Sequence, residues 1–206
     1  MDLSRPYSSV VPTLDGDVLA VLARTIGGLT GREVARLAAR GSQRGILSAL
    51  DRLVDQGVVA RTEAGSSFQY TLNRDHVAAP AVEALTSVRS ALWDRLQAAL
   101  AVWDPPVVHA SVFGSAARGD GDATSDVDVL LVHSDALDPE DADWREQVAE
   151  LADQVLRWTG NSASIAELAV GDLPALASQR PELAENLRTD AIVMTGPAVT
   201  TLLEDV

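Results

Sequence analysis

Two aspartates separated by one valine, Asp126-Val127-Asp128, open an apolar run that continues through Leu130, Leu131 and Val132. The pattern predicts a strand over 126–132, and side chains two residues apart on a strand leave the same face. Carboxylates so placed repel each other unless a cation sits between them. A hard divalent ion such as Mg2+ or Mn2+, shared with phosphate oxygens, meets that need. Two such ions about 3.5–4 Å apart would hold the attacking and leaving oxygens of an in-line displacement.

A second element lies upstream. Val107 to Phe113 reads as a short buried strand, and it runs directly into Gly114-Ser115 and then Ala116-Ala117-Arg118-Gly119. A strand entering a Gly-Ser turn at a helix start leaves backbone amides free for a phosphate, and glycine lets that phosphate approach closely. The whole run, VFGSAARGDGDATSDVDVLLV, resembles the DNA polymerase β-type nucleotidyltransferase superfamily, most closely its minimal nucleotidyltransferases. That family is marked by a Gly-Ser turn followed some ten residues later by Asp-hydrophobic-Asp on a strand, and the likeness spans residues 90–197.

The resemblance implies transfer of a nucleoside monophosphate from an NTP, with ATP the expected donor, to an acceptor hydroxyl. It implies Asp126 and Asp128 as catalytic metal ligands for Mg2+ or Mn2+. Gly114 and Ser115 would cradle the β- and γ-phosphates, Arg118 would steady the triphosphate, and Ser125 would brace the loop before Asp126. A third carboxylate usually lies on a later strand of the family. Here Ser164–Val170 reads as that strand and Glu167 is its only acid. The resemblance therefore implies Glu167 as metal ligand and as the base that takes the hydroxyl proton, where many members carry aspartate. Minimal members of the family include protein-modifying nucleotidyltransferases, among them antitoxin partners of HEPN-type toxins, and others in the superfamily nucleotidylate aminoglycosides or RNA ends.

The elements that must position these residues follow from periodicity. One helix through Val18, Leu19, Val21, Leu22 and Ile26 is ended by Gly27-Gly28. The next begins at Thr30 with Glu33 as a capping box, buries Val34, Leu37 and Ala38, and stops at Gly41. A third starts at Ser42 and carries Ile46, Leu47, Leu50, Leu53 and Val54 to Gly57. Strands over 58–62 and 68–72 flank a turn at 63–67. Three helices followed by a hairpin resemble the winged helix-turn-helix domains of MarR-like and ArsR-like regulators over residues 13–75. That likeness implies double-stranded DNA as a partner, read by Gln43, Arg44, Ser48 and Arg52 on the third helix and Arg61 on the wing.

Leu85, Val88, Leu92, Leu96 and Trp103 predict one connecting helix over 79–104, ended by Pro105-Pro106 and suited to a homodimer contact. A helix over 139–158 and a closing helix and strand from Pro181 to Gly196 complete the reading. The expected architecture is an α/β (α+β) domain with a small mixed sheet, residues 79–206, behind a winged helix-turn-helix domain, residues 1–78.

Composition narrows the partners. All sixteen basic residues are arginine, against thirty acids, for a net charge of −14. Through residue 80, nine arginines meet eight acids, so +1 stands there and −15 falls on residues 81–206. An acidic second half disfavours a bulky RNA acceptor, because phosphate contacts need cations, and leaves a protein or small molecule ahead. The absence of cysteine fits a cytoplasmic protein, and no apolar run is long enough for a membrane span. Two rivals stand beside the enzyme: a DNA-binding regulator that senses NTP without chemistry, and a toxin–antitoxin component that modifies its partner.

Overall fold

Thr30 and Ser42 start two helices by accepting backbone amide hydrogen bonds, from Glu33 and Gly45, on their hydroxyls. In the computed structural model, which describes residues 1–198 and 201, the chain divides into two compact units. One is Arg5–Arg89, and the other joins Met1–Ser4 to Ser90–Val206.

The N-terminal unit contains α1 (Leu14–Ala23), β1 (Leu29–Thr30), α2 (Gly31–Ala38), α3 (Gln43–Asp55), β2 (Val59–Ala64), β3 (Ser67–Leu72) and α4 (Ala79–Thr86). Its three strands lie in the order β1-β3-β2, all antiparallel. Val18, Leu22, Val34, Ile46, Leu50 and Tyr70 form the centre of its core. Thr30 and Glu33 make the full capping box expected. Two apolar residues expected inside are outside. Ile26 lies beyond the end of α1 and is 96% exposed, because the chain leaves the helix at Arg24, ahead of the glycine pair. Leu37 is 48% exposed, since α2 is only two turns long and buries Val34 instead. The two-residue strand β1 was not expected; its pairing with Gln69 and Tyr70 is non-local and leaves no local signal.

The segment expected as one connecting helix is two. α4 ends at Thr86, where the Thr86 and Ser87 hydroxyls both turn back onto the Glu83 carbonyl, and α5 (Val88–Leu100) starts afresh. Competition of this kind from Ser and Thr weakens a helix. The boundary between units falls within the first turn of α5.

The C-terminal unit continues with β4 (His109–Phe113), α6 (Gly114–Arg118), β5 (Val127–His133), α7 (Ala142–Thr159), β6 (Ala163–Ala169), α8 (Leu173–Gln179), α9 (Pro181–Asp190) and β7 (Ile192–Thr195). Its sheet has the order β6-β5-β4-β7, with β5 and β6 parallel and the other pairs antiparallel, a mixed sheet. One face packs Val127, Val129 and Leu131 with Trp144, Leu151 and Val155 of α7 and with Leu92 and Leu96 of α5. The other packs Phe113, Leu130, Val132 and Leu168 under α8 and α9. Alternation along β5 thus assigns each residue to one of two separate cores.

Candidate active site

The site begins where β4 ends. Phe113 pairs with Asp128 across the β4–β5 ladder, and the chain then turns sharply at Gly114 with φ of +68°. A side chain there would be strained, and a Cβ would fall 2.5 Å from Oδ2 of Asp128. Glycine is therefore required twice over: for the turn, and for the carboxylate standing against it.

Asp128 is half-buried and Asp126 is exposed. Burial pushes the Asp128 carboxyl above its ordinary range, repulsion from Asp126 pushes it the same way, and the Arg118 guanidinium draws it back. Two like charges thus share one partly buried corner. Two carboxylates with open solvent access fit a Mg2+ or Mn2+ ion that completes its shell with water and phosphate oxygens.

The five-residue α6 ends at Gly119, and the Ser115 carbonyl gathers the amides of Gly119, Asp120 and Gly121. That clasp returns the chain towards β5. Arg118 donates to Asp190 at the end of α9 (2.6 Å) and to Asp120 (3.2 Å). The loop before Asp126 is closed by Asp122, which accepts from the Thr124 amide and hydroxyl and from the Ser125 hydroxyl. Those bonds hold the Asp122 carboxyl below its usual range.

Residues 95–158 match the family model of the nucleotidyltransferase domain. The C-terminal unit carries a nucleotidyltransferase domain. No curated protein matches the chain. Two solved structures share a partial likeness: a toxin–antitoxin with AMP-PNP (17% identity, TM-score 0.39) and a mutant of the toxin–antitoxin MntA-HpeT (16%, 0.40). Each alignment covers 55% of this chain and 82% of the other.

The structure brings Gly114, Ser115, Arg118, Ser125, Asp126 and Asp128 into one corner of the sheet, and it leaves Glu167 out. Glu167 stands opposite Leu131, not Asp128, and on the other face. Its Oε2 accepts from the indole Nε1 of buried Trp144 at 2.7 Å. The strand was expected correctly, but its register and parity are set by pairing with β5, which sequence spacing does not fix. Among the described residues, no group of three or more His, Cys, Asp or Glu side chains gathers to hold a metal.

Two positioning residues carried no readable role in the sequence. Asn161, only 3% exposed, donates from its amide to the carbonyls of Ser125 and Asp122 and so fixes the loop that delivers Asp126. Asp190 orients Arg118 from 72 residues away. A cleft of about 720 Å³ between the end of α5 and α7 shares no residue with this corner.

In the N-terminal unit, Gln43, Arg44 and Ser48 are exposed on α3. Arg52 is engaged: its guanidinium reaches both carboxylate oxygens of Asp15 at 2.9 and 3.0 Å, clasping α3 to α1. Arg61 lies 3.7 Å from Asp51 and over the Phe68 ring. No helix among the described residues is long and apolar enough to cross a membrane.

Proposed function

We propose that the C-terminal unit transfers a nucleoside monophosphate from an NTP to a hydroxyl of a protein or small molecule. The observation that carries this reading is the seating of Asp128 against the left-handed Gly114 turn, beside Asp126. It sets two carboxylates beside a Gly-Ser turn at the start of a helix. The acceptor oxygen forms a bond to the α-phosphorus, the bond to the β-phosphate oxygen breaks, pyrophosphate leaves, and the acceptor proton passes to solvent.

Asp126 and Asp128 hold a Mg2+ or Mn2+ ion, which when bound neutralises phosphate charge and makes the α-phosphorus more electrophilic. Gly114 and Ser115 admit the β- and γ-phosphates to the main chain. Arg118, oriented by Asp190, meets the charge that grows on the leaving pyrophosphate. Asn161 and Asp122 keep the approach to Asp126 rigid. The charge of −15 on residues 81–206 supports a protein or small molecule over RNA as acceptor.

The test is transfer of label from α-labelled ATP, GTP, CTP and UTP with Mg2+ or Mn2+ in a lysate of the native host. Label on a protein or small molecule with the wild type, and none with the Asp126→Asn/Asp128→Asn double variant, supports the transferase. Absence of any transfer, with NTP binding that changes affinity for DNA, replaces it with a sensing regulator.

A second reading concerns the N-terminal unit. Three helices, a hairpin and the exposed Gln43, Arg44 and Ser48 support a winged helix that binds double-stranded DNA. Arg44 is its first phosphate or base contact, and Arg52 keeps α3 in place. Arg44→Ala should weaken DNA binding and flatten its dependence on salt; unchanged binding would remove α3 from the interface.

A further inference from the structure

The loop from the Gly-Ser turn to Asp126 is held by a part of the chain that carries no catalytic group. Met1–Ser4 belongs to the C-terminal unit, although Arg5–Arg89 belongs to the other. Leu3 is 1% exposed and lies in the core with Leu92, Leu96 and Ala116. The Ser4 amide donates to the Gly121 carbonyl at 2.8 Å. A Cβ on Gly121 would stand 3.4 Å from the Leu3 Cβ and 3.0 Å from the Ser115 hydroxyl oxygen. Gly121 is therefore a thin layer between Leu3 and the phosphate turn. At the other end of the loop, the Met1 nitrogen donates to the Thr159 carbonyl at 2.8 Å and to Oδ1 of Asn161. Asn161 in turn donates to the carbonyls of Ser125 and Asp122.

We infer that Met1–Ser4 is a strap that holds the active-site loop 119–126, and that Leu3 is its anchor. Leu3 is a positioning residue: it acts through Gly121 on Ser115 and Asp126 and does not meet the reacting atoms. The inference deepens the nucleotidyl-transfer reading and rests on it for the effect on catalysis. The loop needs an outside anchor because Gly119-Asp120-Gly121-Asp122-Ala123-Thr124-Ser125 has only one apolar side chain, Ala123, and that one is exposed. A segment with few buried apolar contacts of its own opens easily. Gly121 is buried without a side chain to bury, so the apolar contact at that point comes from Leu3. The same layering makes the spacing between the phosphate turn and Asp126 depend on the strap.

The experiment reads loop opening and turnover separately, on the full-length chain and well below every unfolding midpoint. Hydrogen exchange of the 119–126 amides and label transfer at varied Mg2+ are measured on the wild type, Leu3→Ala, Leu3→Val and Leu3→Met. Leu92→Ala, on α5 in the same core, is the control for lost packing alone. Leu3→Ala should speed exchange across 119–126 more than elsewhere in the unit. It should also lower kcat by about 10–10²-fold, the scale of a small misplacement of catalytic groups, and raise the Mg2+ needed for half-maximal transfer. Leu3→Val, the milder truncation, should move both readouts the same way by less, and Leu3→Met, close in volume, should restore them. Leu92→Ala should lower the unfolding midpoint while loop exchange and transfer stay near wild type. Equal changes in Leu92→Ala and Leu3→Ala, or a loop that opens in Leu3→Ala with transfer unmoved, would overturn the positioning role. So would unchanged loop exchange in both Leu3→Ala and Leu3→Val. A wild type that transfers nothing would overturn the nucleotidyl-transfer reading, and loop exchange would still decide whether the strap holds the loop.

Discussion

Compare the two faces of β5, which share a backbone and differ by one residue of register. One face begins with Asp128 against the Gly114 turn and becomes apolar at Leu130 and Val132 under α8 and α9. The other is apolar from Val127 to Leu131 and meets Trp144, whose indole holds Glu167. Two carboxylates of similar chemistry therefore sit in opposite circumstances. Asp128 feels the Arg118 guanidinium only through space, since Arg118 donates to Asp190 and Asp120, and its charge is disfavoured by burial and by Asp126. Glu167 has a committed donor. Residue type alone would make both candidates for catalysis; strand parity separates them.

That contrast is broken most directly by amide substitutions at each position. Asp128→Asn should lower nucleotidyl transfer by at least about 10²-fold, the scale of losing a group that stabilises transition-state charge. It should not lower thermal stability, because the charge it removes is one the fold disfavours. Glu167→Gln should leave transfer within about 3-fold of the wild type, since no transition-state charge depends on it. Labelled-NTP transfer and melting temperatures on the two variants test both statements. A collapse of transfer in Glu167→Gln would erase the distinction between the faces.

Gly114 sharpens the same comparison from the turn side. Gly114→Ala forces a left-handed conformation on a residue with a Cβ and drives that Cβ onto Oδ2 of Asp128. A cost of about 1–3 kcal/mol is expected for such strain, seen as a lower midpoint in denaturant. Gly65, also with positive φ but with open space around it, is the control. Its alanine variant bears the backbone strain without the clash and should lose less.

Much of the chain is legible because its signals are local. The Gly114-Ser115 turn, the alternation of β5, the stripe of α7 and the Thr30–Glu33 cap depend on residues a few positions apart. What stayed hidden depends on partners far away in the chain. Glu167 was misplaced because only pairing with β5 decides its face. Arg52 looked free for DNA, yet its partner Asp15 lies 37 residues upstream. Asp190 and Asn161 carry no motif; each matters for where it is delivered. The break at Ser87 lies inside a continuous helical pattern.

A smaller effect comes from the far end of the Asp128 face. His109 is fully buried there, its Nδ1 2.7 Å from the Pro197 carbonyl and its Nε2 without a partner among the described residues. Burial lowers its pKa below the usual 6.5, and the bond to Pro197 only partly opposes this. The unfolded chain thus takes up a proton on falling through pH 6.5 that the folded chain still refuses. Stability is present above that pH and is lost as pH drops towards the folded pKa. The slope approaches about 1.4 kcal/mol per pH unit for one proton. Melting at pH 7.5 and 5.5 should show the loss in the wild type, and His109→Gln should lose less over the same interval.

The smallest effect expected on transfer is at Glu167, on the face opposite Asp128. Glu167→Gln keeps an acceptor for the indole of Trp144 and gives up only the charge, so about 0.5–1 kcal/mol should be lost. Glu167→Leu removes the acceptor and leaves the buried Nε1 donor unsatisfied, which costs about 1–3 kcal/mol. Transfer should stay near wild type in both. The ordering, glutamine milder than leucine in stability with transfer unmoved, is what a structural carboxylate produces. A residue that handled the acceptor proton would give the reverse, with glutamine as damaging to turnover as leucine. Unfolding midpoints beside transfer rates on the same two variants decide between them.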